Sequence, residues 1–135
     1  MLGADGVQIG TGYLLCTEAT IGAVHRGALE AQGCDRTALT NVFTGRPARS
    51  VVNRFMSELG PLSSIAPEFP LAGNELGPLR AKAESMGSRD FTPLWAGQAA
   101  RLARPLPAAT LTRALASETE EYLAAVATRL TSHRA

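Results

Sequence analysis

Charge of either sign is in short supply as a net quantity: 13 Lys and Arg stand against 12 Asp and Glu in 135 residues, a formal charge of +1. No basic field therefore points to nucleic acid, and no acidic excess points to a disordered tail. Cysteine is scarce too. Cys16 and Cys34 have no second Cys or His at metal-ligand spacing, which argues against a zinc site and against a disulfide scaffold. They read as small buried hydrophobes of a reducing cytoplasm. No run approaches the roughly 20 apolar residues of a membrane span, and the first residues lack a charged stretch followed by an apolar one. The expectation is a soluble cytoplasmic protein that binds neither membrane nor nucleic acid. There is no internal repeat and no low-complexity tract, and the length suits one domain.

Helix signals dominate what is present. Thr17 suits the N-cap of a helix over residues 18–31, with Ile21, Val24 and Ala28 on one face and Gly33 as a stop. In "TGRPARSVVNRFMSELGP" Pro47 suits a first helical position, and Val52, Phe55, Met56 and Leu59 follow at helical spacing before Gly60 and Pro61. Residues 60–78 read as an extended connector, and Pro78 starts a shorter helix with Leu79, Ala83 and Met86 on one face. Residues 95–103 and 107–130 read as helical, the latter with a stripe of Leu111, Leu115, Tyr122, Val126 and Leu130 that is core or partner surface.

Strands are the scarcest element. Residues 6–9 read as a short buried strand and residues 38–43 as a weaker one. The first lies within "GADGVQIGTG", where a strand, a glycine-rich turn and a helix follow one another. That is one step of a parallel α/β sheet, and its backbone groups must pair, since an orphaned buried group costs on the order of 1 to 3 kcal/mol. A lone first strand is therefore expected to belong to a larger architecture. At its end Gly10 lets backbone approach a phosphate, while Thr11 offers an N–H and a hydroxyl. An ordinary ligand-free strand-to-helix turn has the same local pattern.

Three blocks, "GADGVQIGTGYLLCTEA", "TALTNVFTGRPARSVVNRF" and "LWAGQAARLARPLPAATL", with "FP" at 69 and 70 between the last two, resemble in order the C-terminal part of the nitronate monooxygenases. The resemblance implies the end of an FMN-binding TIM (β/α)8 barrel. Residues 1–33 would supply the last barrel strand, the phosphate-binding turn and the following helix, and residues 34–135 a helical region packing on the barrel. As an isolated chain this would be mainly α with one or two short strands. The implied activity is oxidation of alkyl nitronates with O2 to a carbonyl compound and nitrite, and the family match carries FMN contact onto Gln8, Ile9, Gly10 and Thr11. Gly12 stands where many relatives carry a larger residue, often arginine.

The family's catalytic base and its remaining flavin contacts match no position here, so no catalytic residue is assigned, and the chain alone is expected to be inactive. Its barrel-facing apolar surface would be exposed and open to association. A non-enzymatic helical remnant or partner-binding protein is the alternative. A flavodoxin-like or dehydrogenase fold is disfavoured, because it would need several strands after the glycine turn. His25 reads as a helix-face solvated or packing residue, and His133 lies in the tail. Arg46, Arg49 and Arg54 read as a solvated face rather than an anion clamp. Trp95 reads as a packing anchor, and Gln98 as packing or an approach to the flavin region.

Overall fold

A computed structural model describes residues 4–132. The chain is mostly helical around one β-hairpin: α1 (Thr11–Leu14), α2 (Ala23–Glu30), β1 (Thr37–Thr40), β2 (Ala48–Val51), α3 (Arg54–Leu59), α4 (Leu71–Ser85), a 3-10 turn (Ala100–Leu102) and α5 (Ala108–Ser132). His133 lies outside the described residues.

The hairpin organises the core. β1 and β2 pair antiparallel, with Thr37 opposite Val51 and Thr40 opposite Ala48. Residues 94–96 run along the other edge of β2: the Val51 N–H donates to the Leu94 carbonyl at 2.9 Å and the Ala96 N–H to the Arg49 carbonyl at 3.1 Å. Alternation along a strand sends neighbours to opposite faces, and the two apolar clusters divide accordingly. Val51 joins Leu15, Ala28, Leu29, Cys34, Leu94, Ala96 and Ala100 on the α2 side, whereas Val52 and Ala38 pack with Val42, Phe43 and Met56 on the side of α3 and α4. Phe43 meets Trp95 edge-on at 5.7 Å and Phe55 at 5.6 Å. Trp95 is thus a packing residue as expected, although its partners lie within this chain. Cys16 and Cys34 are both buried and free.

Several expected elements differ. Residues 6–9 form no strand: Val7 is 81 % and Ile9 40 % exposed, and no strand among the described residues lies beside them, so the ladder that would define a strand is missing. Residues 47–53 are not helical. Ala48–Val51 is a strand because β1 and residues 94–96 flank it on both sides, and pairing outweighs the helical spacing that begins at Val52. The helix starts at Arg54, where the Asn53 side chain accepts the Met56 N–H at 3.2 Å, an N-cap signal present in the sequence. The weaker strand expected at 38–43 is found at Thr37–Thr40.

The helix expected over 18–31 is shorter and is preceded by the single turn α1. Its N-cap is Gly22, while the Thr17 hydroxyl turns to Glu18 at 3.0 Å. α4 begins at Leu71 and carries Pro78 inside it. Ala72 is buried and Leu76 packs on the cluster of Phe43 and Met56, so tertiary contacts prevail over the breaker signals. Of its expected face only Ala83 is buried. Residues 95–103 are helical only at the 3-10 turn.

α5 matches its expected span closely, yet of its stripe only Leu111 is buried, with Tyr122 63 % and Leu130 64 % exposed. Gly45 has φ +84°, and a Cβ there would sit 2.5 Å from the Pro67 carbonyl oxygen, so the turn before β2 admits no side chain. Asn41 pins the following loop, donating to the Ser63 carbonyl and accepting its N–H, both at 2.9 Å.

Candidate functional site

The first helical turn lines a cleft. Gln8, Ile9, Gly10 and Thr11 form one wall, residues 97–99 the facing wall, and Leu111 and Leu115 of α5 close one end, enclosing about 530 Å³. That volume lies within the roughly 300–1,000 Å³ of small-molecule sites. The four residues singled out from the sequence are therefore brought together on one surface, and Gln98 lines the same cleft.

A hydrogen bond joins the two walls. The Gly97 N–H donates to Thr11 Oγ1 at 2.9 Å, which uses an acceptor lone pair and leaves the Thr11 hydroxyl proton available to a ligand. The N–H groups of Thr11 and Gly12 open a helical turn and have no intrahelical acceptor. Gly10 has φ −102°, which any residue adopts, so its glycine is not required by the backbone. What its missing side chain provides is room, because a Cβ at Gly10 would meet nothing within 4 Å. At Gly12 a Cβ would lie 2.9 Å from Ile9 Cγ2, so the small residue there lets the Ile9 side chain fold over the turn. α1 is only four residues long, so its dipole is slight and individual N–H groups carry the attraction for an anion.

The amides of Gln8 and Gln98 line the cleft and have no hydrogen-bond partner among the described residues. Arg104 is the one cation among the described residues that lines it, and its guanidinium is engaged by Glu118 through bonds of 2.6 and 3.3 Å. That pairing raises the Arg104 pKa, with the hydrogen bond to Glu118 as the main cause.

α5 is held over the cleft by two contacts from the opening segment. The Tyr13 hydroxyl lies 2.8 Å from Thr112 Oγ1, and since Thr112 donates to the Ala108 carbonyl, Tyr13 is the donor. The Glu18 carboxylate accepts the Ala108 N–H at 3.1 and 3.0 Å, placing negative charge at the start of a 25-residue helix. This bond, with smaller contributions from its own backbone N–H and from Thr17, lowers the Glu18 pKa.

The remaining candidates sit elsewhere. Arg46 stacks over the Phe69 ring at 4.2 Å, Arg49 donates to the Thr37 carbonyl and hydroxyl, and Arg54 pairs with Glu58 at 2.7 Å. They lie on a turn, a strand and a helix rather than on one helical face, and they form no clamp. His25 is half-buried, its Nε2 3.1 Å from the Trp95 carbonyl, and burial lowers its pKa against the opposing pull of that carbonyl. It does not line the cleft.

A family model described as nitronate monooxygenase matches residues 1–118. The chain belongs to the nitronate monooxygenase family. It is 42 % identical over 118 residues to a nitronate monooxygenase of Pseudomonas aeruginosa, covering 87 % of this chain and 34 % of that protein. It is 40 % identical over 124 residues to one of Paraburkholderia phytofirmans, covering 90 % and 34 %. A crystal structure of nitroalkane oxidase from Streptomyces ansochromogenes superposes with a TM-score of 0.80 at 44 % identity, covering 91 % of this chain and 35 % of that one. The chain thus spans about a third of the length of the relatives it matches. The family match takes in both walls of the cleft and ends within α5.

Two features of the site were not singled out in the sequence. The Gly97 N–H, which ties the walls, carries no motif beyond its place in "LWAGQ". Arg26, whose guanidinium reaches the segment after α1, reads in sequence as one more charged helix residue. No helix among the described residues is long and apolar enough to cross a membrane.

Proposed function

We propose that this chain is the C-terminal portion of a nitronate monooxygenase barrel and holds the phosphate end of its FMN. The observation that carries the reading is the cleft wall in which Thr11, accepting from Gly97, keeps its hydroxyl proton free beside the unobstructed Gly10. Thr11 and Gly12 would donate backbone N–H groups to phosphate oxygens and Thr11 its hydroxyl, while Gln8 and Gln98 supply neutral amides along the cleft. Bound FMN supplies the electron-accepting chemistry for oxidising a nitronate with O2 to a carbonyl compound and nitrite. The contribution of these residues is binding and orientation. His25 is committed to the Trp95 carbonyl, and no proton transfer is assigned to it. The exposed Val7 and Leu102, 81 % and 69 % accessible, are where we place contact with the rest of the barrel.

The affinity of the chain alone follows from these parts. Three hydrogen bonds to a charged acceptor contribute roughly 1.5 to 3 kcal/mol each, and immobilising the ligand costs about 4 kcal/mol or more. The remainder, at most about 5 kcal/mol, corresponds to binding that is about millimolar or weaker, so the chain should purify without flavin and consume no oxygen with a nitronate. In amide NMR titrations, millimolar FMN and inorganic phosphate should move the Gly10, Thr11 and Gly12 resonances, whereas riboflavin should not. Thr11→Val should abolish the response, and Thr11→Ser should retain it. Equal responses to FMN and riboflavin would refute the assignment of this end to phosphate.

A further inference from the structure

The two walls of the cleft hang from neighbouring residues of one helix. Residues 25 and 26 of α2 point about 100° apart around the helix axis, so each reaches a different segment. Arg26 turns toward the chain that leaves α1. Its Nη1 donates to the Leu15 carbonyl at 3.0 Å, and its Nη2 donates to those of Cys16 and Ala19 at 3.2 and 3.0 Å. His25 reaches the other wall, its Nε2 donating to the Trp95 carbonyl two residues before Gly97. The bond from Gly97 to Thr11 then closes the loop.

The chemistry of Arg26 suits this role. α1 ends at Leu14, and the Leu15, Cys16 and Ala19 carbonyls that Arg26 collects belong to the non-helical segment after it, where the backbone supplies one bond to them, from the Ala19 N–H to the Cys16 carbonyl at 3.0 Å. A planar guanidinium with five fixed donors can satisfy several such oxygens at once, and an ammonium on a flexible stem cannot hold the same spread. α2 is itself anchored, with Ala28 and Leu29 buried in the core. Neither Arg26 nor His25 lines the cleft, so neither would touch a ligand there.

We infer that Arg26 is a positioning residue for the ligand-binding turn, with His25 fixing the facing wall, so that α2 sets the separation at which Thr11 meets Gly97. This rests on the phosphate reading of the cleft given above. A solvated helix-face arginine would leave Thr11 and Gly97 indifferent to its removal, and a purely global stabiliser would loosen the whole chain evenly.

The test uses amide hydrogen exchange and phosphate titration on the chain and on Arg26→Ala and Arg26→Lys. Without ligand, the Gly97 amide should exchange at least tenfold faster in Arg26→Ala, while those of Val51 and Ala96, bonded to Leu94 and Arg49, keep their rates. With inorganic phosphate as the probe, the response at Thr11 and Gly12 should need at least several-fold more phosphate in both variants. Arg26→Lys keeps the positive charge, so a wild-type response from it would assign the effect to charge and overturn the positioning role. Unchanged exchange at Gly97, or equal acceleration at Gly97, Val51 and Ala96, would overturn it as well. If Arg26→Ala does not fold, the same comparison is made with Arg26→Lys. A wild-type chain that ignores phosphate would refute the phosphate reading of the cleft, and exchange at Gly97 would still decide whether Arg26 holds the turn.

Discussion

Replacing Asn53 by alanine removes one side chain that serves three backbone groups. Asn53 is 8 % exposed. Its Oδ1 caps α3 by accepting the Met56 N–H at 3.2 Å, and its Nδ2 donates to the carbonyls of Arg89 and Thr92 at 3.0 and 2.9 Å. Loss of an N-cap costs about 1 kcal/mol, and each carbonyl left without its donor costs about another, giving a destabilisation of about 3 kcal/mol. For a domain of this size that is a fall in Tm on the order of 10 °C. Thermal melts followed by far-UV circular dichroism measure it. Asn53→Asp sharpens the test: a carboxylate keeps the cap acceptor but has no donor and faces two carbonyl oxygens, so it should be no more stable than alanine. The segment it releases leads directly into residues 94–96 beside β2, so the damage should reach the Gly97 wall. An alanine variant melting within about 3 °C of the parent, or an aspartate variant as stable as asparagine, would show that the 89–92 segment is held by something else.

Two further outcomes follow from single residues. Glu18 has a folded-state pKa below its unfolded value of roughly 4.3 because it accepts the Ala108 N–H, so its contribution is fully present above that value and is lost as pH falls through the lower folded pKa. The Tm difference between the chain and Glu18→Gln should be constant above about pH 5 and shrink toward zero in acid; a difference independent of pH would discard the carboxylate as an anchor of α5. Phe43→Ala, at a site 2 % exposed between the rings of Phe55 and Trp95, should cost about 3 to 5 kcal/mol in denaturant unfolding, and a loss below about 1 kcal/mol would mean that the cluster collapses into the vacated space.

What could be read from the sequence divides by the range of the interaction that decides it. α5 was legible because its apolar spacing and Pro107 are local signals. The cleft-lining turn that we propose to hold a ligand is legible for the same reason: Gly10, Thr11 and their neighbours are consecutive, and the properties on which that proposal rests, a missing Cβ and a free hydroxyl proton, belong to the residues themselves. β2 lies in a stretch with a helix signal because Val52, Phe55, Met56 and Leu59 carry a genuine helical period, while the pairing that makes residues 48–51 a strand comes from Thr37–Thr40 and from residues 94–96, far along the chain. Residues 6–9 failed in the converse way, with local strand propensity and no described partner. α4 absorbs Pro78 because Ala72 and Leu76 find the Phe43 cluster, a contact that no window of sequence contains.

The site inherits the same division. The groups we propose to face a ligand are local and can be named from the sequence, whereas the groups that fix their geometry are not. Gly97 is 86 positions from the hydroxyl it binds, Arg26 spends its charge on carbonyls rather than on a partner of opposite sign, and Glu18 starts a helix 90 positions away. A turn of this kind can be picked out from a dozen residues, but the affinity we propose for it depends on contacts distributed over the whole fold. Substitutions at Arg26 or Glu18 should therefore weaken the turn without altering any residue that a ligand touches.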